Sequence, residues 1–284
     1  MYCQKVLENL TSEHSMCTDI CINILSDFLF LLLSVLVARF FYMGFRRRKL
    51  LNFFGIGKTK RIAIYISNLR IQPTNFNGEI IPSGTQISFD QYPLGGAFGI
   101  DGLLHSYSGH AIVKGELDAA NQYRDLFNYF IPSLSDKSNI LGTILLSDIK
   151  MAIISSPNSD AEIETSSTII SFGGPVYNVA SSIIERLQNS QVAFSEESVS
   201  FTVEGIPAFT DLAYGFIERI FDKVNNRYCF YIAGLSEMST VRAAQHLAFE
   251  WKKISEKHND KEYFLIVLKF DSNNTNNWTV VLER

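Results

Sequence analysis

Two glycine-containing junctions carry the residue types that could bind an anionic ligand. The first follows the apolar run 168–172 and contains Gly173, Gly174 and Asn178. Paired glycines let a ligand approach the backbone closely and tolerate positive φ, and the N-terminus of a following helix presents free N–H groups to an anion. Asn178 could contact a base or a ribose, or it could simply cap that helix. The junction therefore predicts either a ligand loop or a capped glycine turn.

The second junction repeats the order of strand, glycine, hydroxyl residues and helix. Its candidate ligand-binding residues are Gly234, Ser236, Ser239, Thr240 and Arg242. Ser239 or Thr240 could instead serve as the N-cap. Arg242 lies in the first helical turn, where the helix dipole favours acids, so an anionic partner would explain a cation there. Two such junctions at strand ends match the edge at which open α/β sheets bind ligands.

A third candidate is His110, which precedes Gly115 and Glu116 and could contact a phosphate or a base, although an ordinary loop histidine is an alternative. The sequence contains no Walker A loop, no G-x-G-x-x-G after the first strand, no H-E-x-x-H and no G-x-S-x-G. We therefore predict no catalytic residue, metal site or cofactor. An enzyme with Glu116 or Glu237 as its catalytic carboxylate stays open as the alternative.

Apolar periodicity indicates the elements that must position these residues. Strands are predicted at 61–67, 151–154, 168–172, 198–203, 213–221, 228–233, 263–270 and 278–282, and helices at 116–130, 178–187 and 239–254. Residues 71–110 are rich in Gly, Pro, Asn and Ser and predict a long loop over a site or interface. The fold class predicted is α/β, a Rossmann-like domain with added antiparallel strands.

An apolar run precedes this domain. Phe28 to Phe45 are eighteen residues with one charge, Arg39, which is long enough to cross a bilayer as a helix. We predict an extracytoplasmic segment 1–19, a transmembrane helix 20–45, a basic linker 46–60 and a cytosolic sensor domain 61–284. A signal peptide is less favoured, because the run starts after about twenty residues and no small-residue cleavage site follows it.

Charge fixes the predicted orientation. The cluster at 46–49 and three more basic residues up to Arg61 lie on the C-terminal side of the run, which is the cytoplasmic side by the positive-inside rule. The protein is therefore predicted to be a single-pass protein of the inner (plasma) membrane with its N-terminus outside. After Arg61 the chain holds sixteen basic and twenty-five acidic residues. Such a domain is not a general polyanion binder, so a phosphate would need a local pocket.

Two charges interrupt the apolar run. Asp27 and Arg39 are twelve residues apart, about 18 Å along a helix, and cannot pair within it. Both could snorkel to the membrane interfaces, or both could line a pore. Because one helix cannot enclose a pore, the second interpretation requires a homo-oligomer.

The order of a short membrane segment and a Rossmann-like domain resembles the membrane effectors of prokaryotic antiviral defence, as in the CBASS, Pycsar, CARF-type and Hailong systems. The segments 172–178 and 233–244 are similar to a recurrent pair in such bacterial domains, in which Gly-Thr is more common than the Ser239-Thr240 of this chain. The resemblance implies that the domain binds a cyclic nucleotide or oligonucleotide second messenger and that the membrane segments form or open a pore in the lipid bilayer.

The same resemblance implies that a nucleotidyltransferase or cyclase encoded nearby supplies the signal. Two alternatives stay open. One is a membrane-anchored hydrolase of nucleotides or NAD, or a deoxyribosyltransferase-like enzyme. The other is an anchored scaffold without catalytic activity.

Overall fold

The computed structural model describes residues 2–69, 86–88, 103–107, 110–130, 149–157, 159–195, 199–258, 261–271 and 277–284. The chain forms two compact units, Met1–Arg48 and Lys49–Arg284. The first consists of most of a single helix, and the second is a mixed α/β domain.

The helix α1 runs from Tyr2 to Phe53. Its segment Leu25–Phe53 is long and apolar enough to cross a membrane, with a mean hydropathy of 2.1 over an apolar window of which no part is buried. A signal sequence or the core helix of a soluble protein would pass the same test of length and composition. Asp27 and Arg39 lie on this helix with exposed side chains.

The last turn of α1 belongs to the second unit. Leu50, Phe53 and Phe54 have no exposed surface, and a short helix α2, Ile56–Thr59, follows. Gly55 between them adopts φ +68°, and a Cβ there would lie 2.3 Å from the ring of Tyr228, so both the backbone and the packing require glycine. The predicted linker 46–60 is thus helical up to Phe53 and buried at Leu50, Phe53, Phe54 and Ile56.

In the described part of the chain, the remaining helices lie between groups of strands. The helices are α3, Lys114–Phe130; α4, Val179–Glu185; and α5, Glu237–His258. The strands are β1, Arg61–Ile66; β2, Gln86–Ser88; β3, Leu103–Tyr107; β4, His110–Val113; β5, Lys150–Ser155; β6, Thr168–Phe172; β7, Val192–Phe194; β8, Phe201–Val203; β9, Ile206–Phe209; β10, Tyr214–Asp222; β11, Arg227–Gly234; β12, Phe264–Phe270; and β13, Trp278–Glu283.

A seven-stranded sheet in the described part of the chain has the order β13-β12-β10-β11-β6-β1-β5. The four strands β5, β1, β6 and β11 are parallel, and β10, β12 and β13 are added antiparallel to one another. β1 is buried from Ile62 to Ile66, as expected of a parallel strand covered on both faces. The carboxyl ends of the parallel strands therefore meet at one edge of the sheet.

Two small antiparallel sheets, β2-β3-β4 and β7-β8-β9, were not foreseen as sheets. The first places three strands in the region 71–113, most of which was predicted to be a loop, and the rest of that loop lies outside the described residues. The predicted strands 213–221 and 228–233 correspond to β10 and β11, which pair antiparallel around a turn at Asn225-Asn226, and Asn226 has φ +50°.

Candidate functional site

The carboxyl edge of the parallel strands brings two acidic side chains together with a serine and a glycine. Glu116, in the first turn of α3, is 4 % exposed. One of its carboxyl oxygens accepts a hydrogen bond from the Ser67 N–H at 2.6 Å, and the other accepts one from the Ser67 hydroxyl at 3.0 Å. Because Ser67 directly follows β1, these bonds fix the start of α3 to the end of that strand. We refer to Ser67, Glu116, Gly173 and Glu237 as the carboxyl-edge cluster.

Gly173 is the position at which the first junction meets this cluster. It adopts φ +83°, and a Cβ there would lie 2.4 Å from both Glu116 Oε1 and Ser67 Oγ. Its N–H donates to Ile232 O on β11 at 3.0 Å, and its carbonyl accepts from the Ser181 hydroxyl at 2.7 Å. The packing of Glu116 is therefore sufficient to explain why a glycine stands at 173.

Glu237 supplies the second carboxyl group and is the first residue of α5. Its Oε1 accepts from the Gly115 N–H at 2.9 Å, which satisfies a free donor at the start of α3. Its Oε2 is buried and has no hydrogen-bond partner among the described residues. Burial raises the pKa of Glu237, while the Gly115 N–H and the charge of Lys114 act in the opposite direction.

Burial raises the pKa of both carboxyl groups. The pKa of Glu116 is raised to about 8, mainly by burial and to a smaller degree by the charge of Glu237. The hydrogen bonds from Ser67 act in the opposite direction. At neutral pH the carboxyl of Glu116 is therefore mostly protonated. A buried protonated carboxyl next to a second acid can take part in proton transfer, or it can stabilise the fold.

Asn178 is the cap of α4 in the structure. Its side chain accepts from the Ala180 N–H at 3.0 Å and donates to Tyr65 O at 3.2 Å and Phe172 O at 2.7 Å. These bonds use both amide hydrogens and tie β1, β6 and α4 together. Gly174 is half-buried, and its carbonyl accepts from the Asn178 N–H at 3.2 Å. Of the two interpretations, the geometry of Asn178 corresponds to the capped turn.

The second junction is a reciprocal cap. α5 begins at Glu237, so the N-cap is Ser236 and not Ser239 or Thr240, the residues that the sequence favoured. The Ser239 N–H donates to Ser236 Oγ at 3.1 Å, and the Ser236 N–H donates to Ser239 Oγ at 3.0 Å. The difference arises because the helix starts at Glu237, two residues before the predicted start at 239.

Thr240 and Gly234 complete this cap. The Gly234 N–H donates to Thr240 Oγ1 at 2.9 Å, and that hydroxyl donates to Ser236 O at 3.1 Å. A Cβ at Gly234 would lie 2.2 Å from Ser239 Oγ. Ser239 and Thr240 are 2 % and 3 % exposed. The hydroxyl groups of this junction are therefore engaged within the protein.

Arg242 contacts residues next to a cavity on the antiparallel half of the sheet, outside the carboxyl-edge cluster. It donates to Asp271 O at 2.9 Å and lies over the ring of Phe270. Both residues line an open cavity of about 820 Å³ beside β12 and β13, whose other described lining residues are Asp211, Ala213, Lys269, Asn277, Trp278 and Thr279. Lys269 and Asp211 form an ion pair of 3.1 Å there. Arg242 is thus an anchor beside this cavity, on the antiparallel half of the sheet.

The other predicted site residues remain apart from the cluster. His110 begins β4 opposite Tyr107, and its side chain lies outside the described residues. Asp27 and Arg39 belong to the first unit, so their pore role stays a prediction. Among the described residues, no group of three or more His, Cys, Asp or Glu side chains is placed to hold a metal ion.

The two junctions do meet, as adjacent parallel strands β6 and β11 carry Gly173 and Gly234 at the same edge. Sequence reasoning named Glu116 and Glu237 singly and missed Ser67, which it placed as the last residue of the predicted strand 61–67, whereas β1 ends at Ile66. No known protein family, curated protein or solved structure matches this chain.

Proposed function

We propose that the protein is an antiviral-defence membrane effector with a Rossmann-like cytosolic domain. In this proposal the domain binds a nucleotide or oligonucleotide signal at the carboxyl edge of β1, β6 and β11, and it controls an ion channel formed by α1 in a homo-oligomer. The observation that supports this proposal is the burial of Leu50, Phe53 and Phe54. The apolar helix thereby ends inside the core of the domain that carries the candidate ligand edge.

The proposed membrane placement rests on charge and hydropathy. α1 would cross the inner (plasma) membrane once, with its N-terminus outside, because the basic residues 46–49 follow the apolar segment. Asp27 and Arg39 would face the pore or the interfaces. Conduction would require several copies of the helix.

The proposed ligand edge offers groups suited to a base or a ribose. Gly174, Gly234 and Glu237 are partly exposed there. The buried Oε2 atom of Glu237 has no described partner, and rotation of the side chain would present it as an acceptor to base N–H or ribose hydroxyl groups. Parallel strands of open α/β sheets commonly bind ligands at this edge.

Ion flux and binding test this proposal together. Full-length protein is reconstituted in liposomes loaded with a potential-sensitive dye, and cyclic mononucleotides, cyclic dinucleotides and short oligonucleotides are added in turn. We expect one class to bind and to change the flux. A variant in which residues 25–45 are replaced by an unrelated apolar helix should keep the binding and lose the flux. Absence of both binding and flux in the wild-type protein would refute the proposal.

A second candidate function is supported by the meeting of Glu116 and Glu237. A mostly protonated carboxyl beside a second acid fits the general acid of an enzyme that cleaves the N-glycosidic bond of NAD or a nucleoside. Turnover of NAD or nucleosides that disappears in Glu116→Gln or Glu237→Gln would favour it. An anchored scaffold would show neither turnover nor flux and would survive replacement of the span.

A further inference from the structure

Arg219 on β10 is a buried cation without a counter-ion in the part of the chain that the structure describes. Its side chain is 1 % exposed, and no carboxylate among the described residues pairs with it. Burial lowers the pKa of Arg219 to about 10, so the group is still charged at neutral pH. A buried charge of this kind is costly unless other groups replace its hydration.

Backbone carbonyls at two helix ends replace that hydration. The guanidinium donates to Phe53 O at 3.2 Å, to His258 O at 2.7 Å and to Lys261 O. Phe53 is the last residue of α1 and His258 the last residue of α5. The C-terminal carbonyls of a helix are free acceptors at the negative end of its dipole. One guanidinium therefore caps α1 and α5 at once.

Aromatic rings enclose the same group. The guanidinium carbon lies 4.9 Å from the ring centroid of Phe264 and 5.1 Å from those of Phe53 and Tyr228. Phe53 and Phe264 are stacked, with centroids 5.9 Å apart and an interplanar angle of 14°. Cation–π attraction is strongest where the cation is desolvated, as it is here. The last turn of α1 is thus held by side-chain and backbone contacts to one residue.

Two helices connect this point with the carboxyl-edge cluster. α5 begins at Glu237 and ends at the carbonyl bound by Arg219, and its Glu256 also pairs with Lys49 at 3.0 Å. Its 22 residues span about 33 Å. Displacement of the first turn of α5 along its axis therefore displaces the acceptor of Arg219.

Aromatic residues of α3 provide a second connection between the carboxyl-edge cluster and the end of α1. Glu116 lies in its first turn, and Tyr123 packs against Phe172, the residue before Gly173, at 5.5 Å. Tyr123 and Phe127 contact Phe54 at 6.3 and 5.0 Å, and the Tyr123 hydroxyl donates to Ala244 O of α5 at 2.9 Å. Both helices that begin in the cluster are therefore packed against the end of α1.

We infer that Arg219 is a regulatory latch, through which a displacement of α5 at the ligand edge is transmitted to the last turn of α1. The ligand and the channel in this inference rest on the proposed function. The coupling of the two helix ends through Arg219 does not depend on it. Because the described partners of this charge are backbone carbonyls and aromatic rings, separation of either helix end from Arg219 leaves a buried charge with fewer partners. The two helix ends must therefore move together or release together.

Amide hydrogen exchange tests the latch without any ligand. Full-length protein in lipid nanodiscs is compared with Arg219→Met, Arg219→Lys and, as the matched control, Arg227→Met. Arg227 is 2 % exposed on the neighbouring strand β11, but it pairs with Asp222 at 3.0 Å and contacts neither helix end. We expect exchange at residues 50–54 to rise on the order of tenfold in Arg219→Met, less in Arg219→Lys, and no more than elsewhere in the domain for Arg227→Met.

Transmission is tested by a second substitution at the far end of α5. Glu237→Ala removes the acceptor of the Gly115 N–H, and we expect it to change exchange at residues 50–54 in the wild-type background. In the Arg219→Met background its effect there should be smaller, because the contacts through Arg219 are lost while the contacts of α3 with Phe54 remain. An equal effect in both backgrounds, or no effect in either, overturns the latch. If Arg219→Met does not fold, the same cycle is carried out with Arg219→Lys, whose single ammonium group cannot reach all three carbonyls.

Measurements of ion flux then distinguish failure of the latch from failure of the proposed function. In liposomes, Arg219→Met should keep nucleotide binding within about threefold of wild type and lose the ligand-dependent change in flux. Wild-type protein that neither binds nor conducts would refute the proposed function, while the exchange cycle would still decide on the latch. Retained ligand-dependent flux in Arg219→Met overturns the latch and leaves the proposed function standing.

Discussion

The carboxyl group of Glu116 occupies the space that a side chain at Gly173 would need. A Cβ at Gly173 would lie 2.4 Å from Glu116 Oε1, at a backbone φ of +83°. The two residues are 57 positions apart in the chain and belong to the start of α3 and the end of β6. Their contact makes the first glycine junction part of the domain core.

Substitution of Gly173 by alanine should therefore destabilise the domain for two reasons, the left-handed backbone and the clash with Glu116. We expect a loss of about 3 kcal/mol in the free energy of unfolding. Gly205→Ala is the matched control, since Gly205 has φ +75° and nothing within 4 Å of its Cβ position. It should lose only about 1 kcal/mol. Equal losses in denaturant unfolding of the two full-length variants would show that Glu116 does not restrict position 173.

The proton held by Glu116 should make stability depend on pH. Its pKa is raised from 4.5 to about 8 in the folded protein, so the folded state binds the proton more tightly than the unfolded state. The stabilisation is fully present below pH 4.5 and is lost as pH rises towards 8, with a slope of at most about 1.4 kcal/mol per pH unit. Glu116→Gln should reduce this slope between pH 5 and 8.

A second buried acid contributes to the same slope and provides a check. Burial raises the pKa of Glu218 to about 7, against hydrogen bonds from Gln191 and Ser190. Glu218→Gln should therefore remove a further part of the slope, ending nearer pH 7. A slope that Glu116→Gln does not alter, measured by unfolding across this pH range, would contradict the buried proton.

The sequence predicted local elements better than the contacts between them. The strands β6 and β11 and the helices α3 and α5 follow from apolar periodicity, which each element expresses within its own residues. The bond between Ser67 and Glu116 joins positions 49 residues apart, so no local pattern reports it. The burial of Phe53 and Phe54 was missed because the basic residues around them led to the prediction of a linker at 46–60. The hydroxyl residues at 236–240 are typical both of a ligand-binding loop and of a helix N-cap, so their composition alone could not distinguish the two.

Phenylalanines on the two sides of the unit boundary should respond differently to truncation. Phe54 has no exposed surface and contacts Phe127, Phe230 and Tyr123, so Phe54→Ala should cost the domain about 3–5 kcal/mol of unfolding free energy. Phe45, which is 69 % exposed in the first unit, should leave domain stability unchanged when replaced by alanine. Thermal unfolding in detergent, monitored by near-UV circular dichroism, distinguishes the two. A similar loss for both variants would place the boundary of the core elsewhere.

Substitution of Thr240 tests whether the hydroxyl groups of the second glycine junction stabilise the fold or contact a ligand. Its hydroxyl accepts from the Gly234 N–H at 2.9 Å and donates to Ser236 O at 3.1 Å, while the residue is 3 % exposed. Thr240→Val keeps the shape but leaves the Gly234 N–H without an acceptor, so we expect a loss of about 1–3 kcal/mol in unfolding free energy.

Thr240→Ser is the matched control, because it keeps the hydroxyl and removes one methyl group. It should lose no more than about 1 kcal/mol. Nucleotide binding, measured by calorimetry on the folded fraction, separates the two roles of the hydroxyl. If the hydroxyl acts only as a cap, the affinity of folded Thr240→Val equals that of the wild type, and the ligand contacts then lie at the partly exposed Gly174, Gly234 and Glu237. If affinity falls while stability is unchanged, the hydroxyl contacts the ligand and the cap is dispensable, contrary to the packing of this junction.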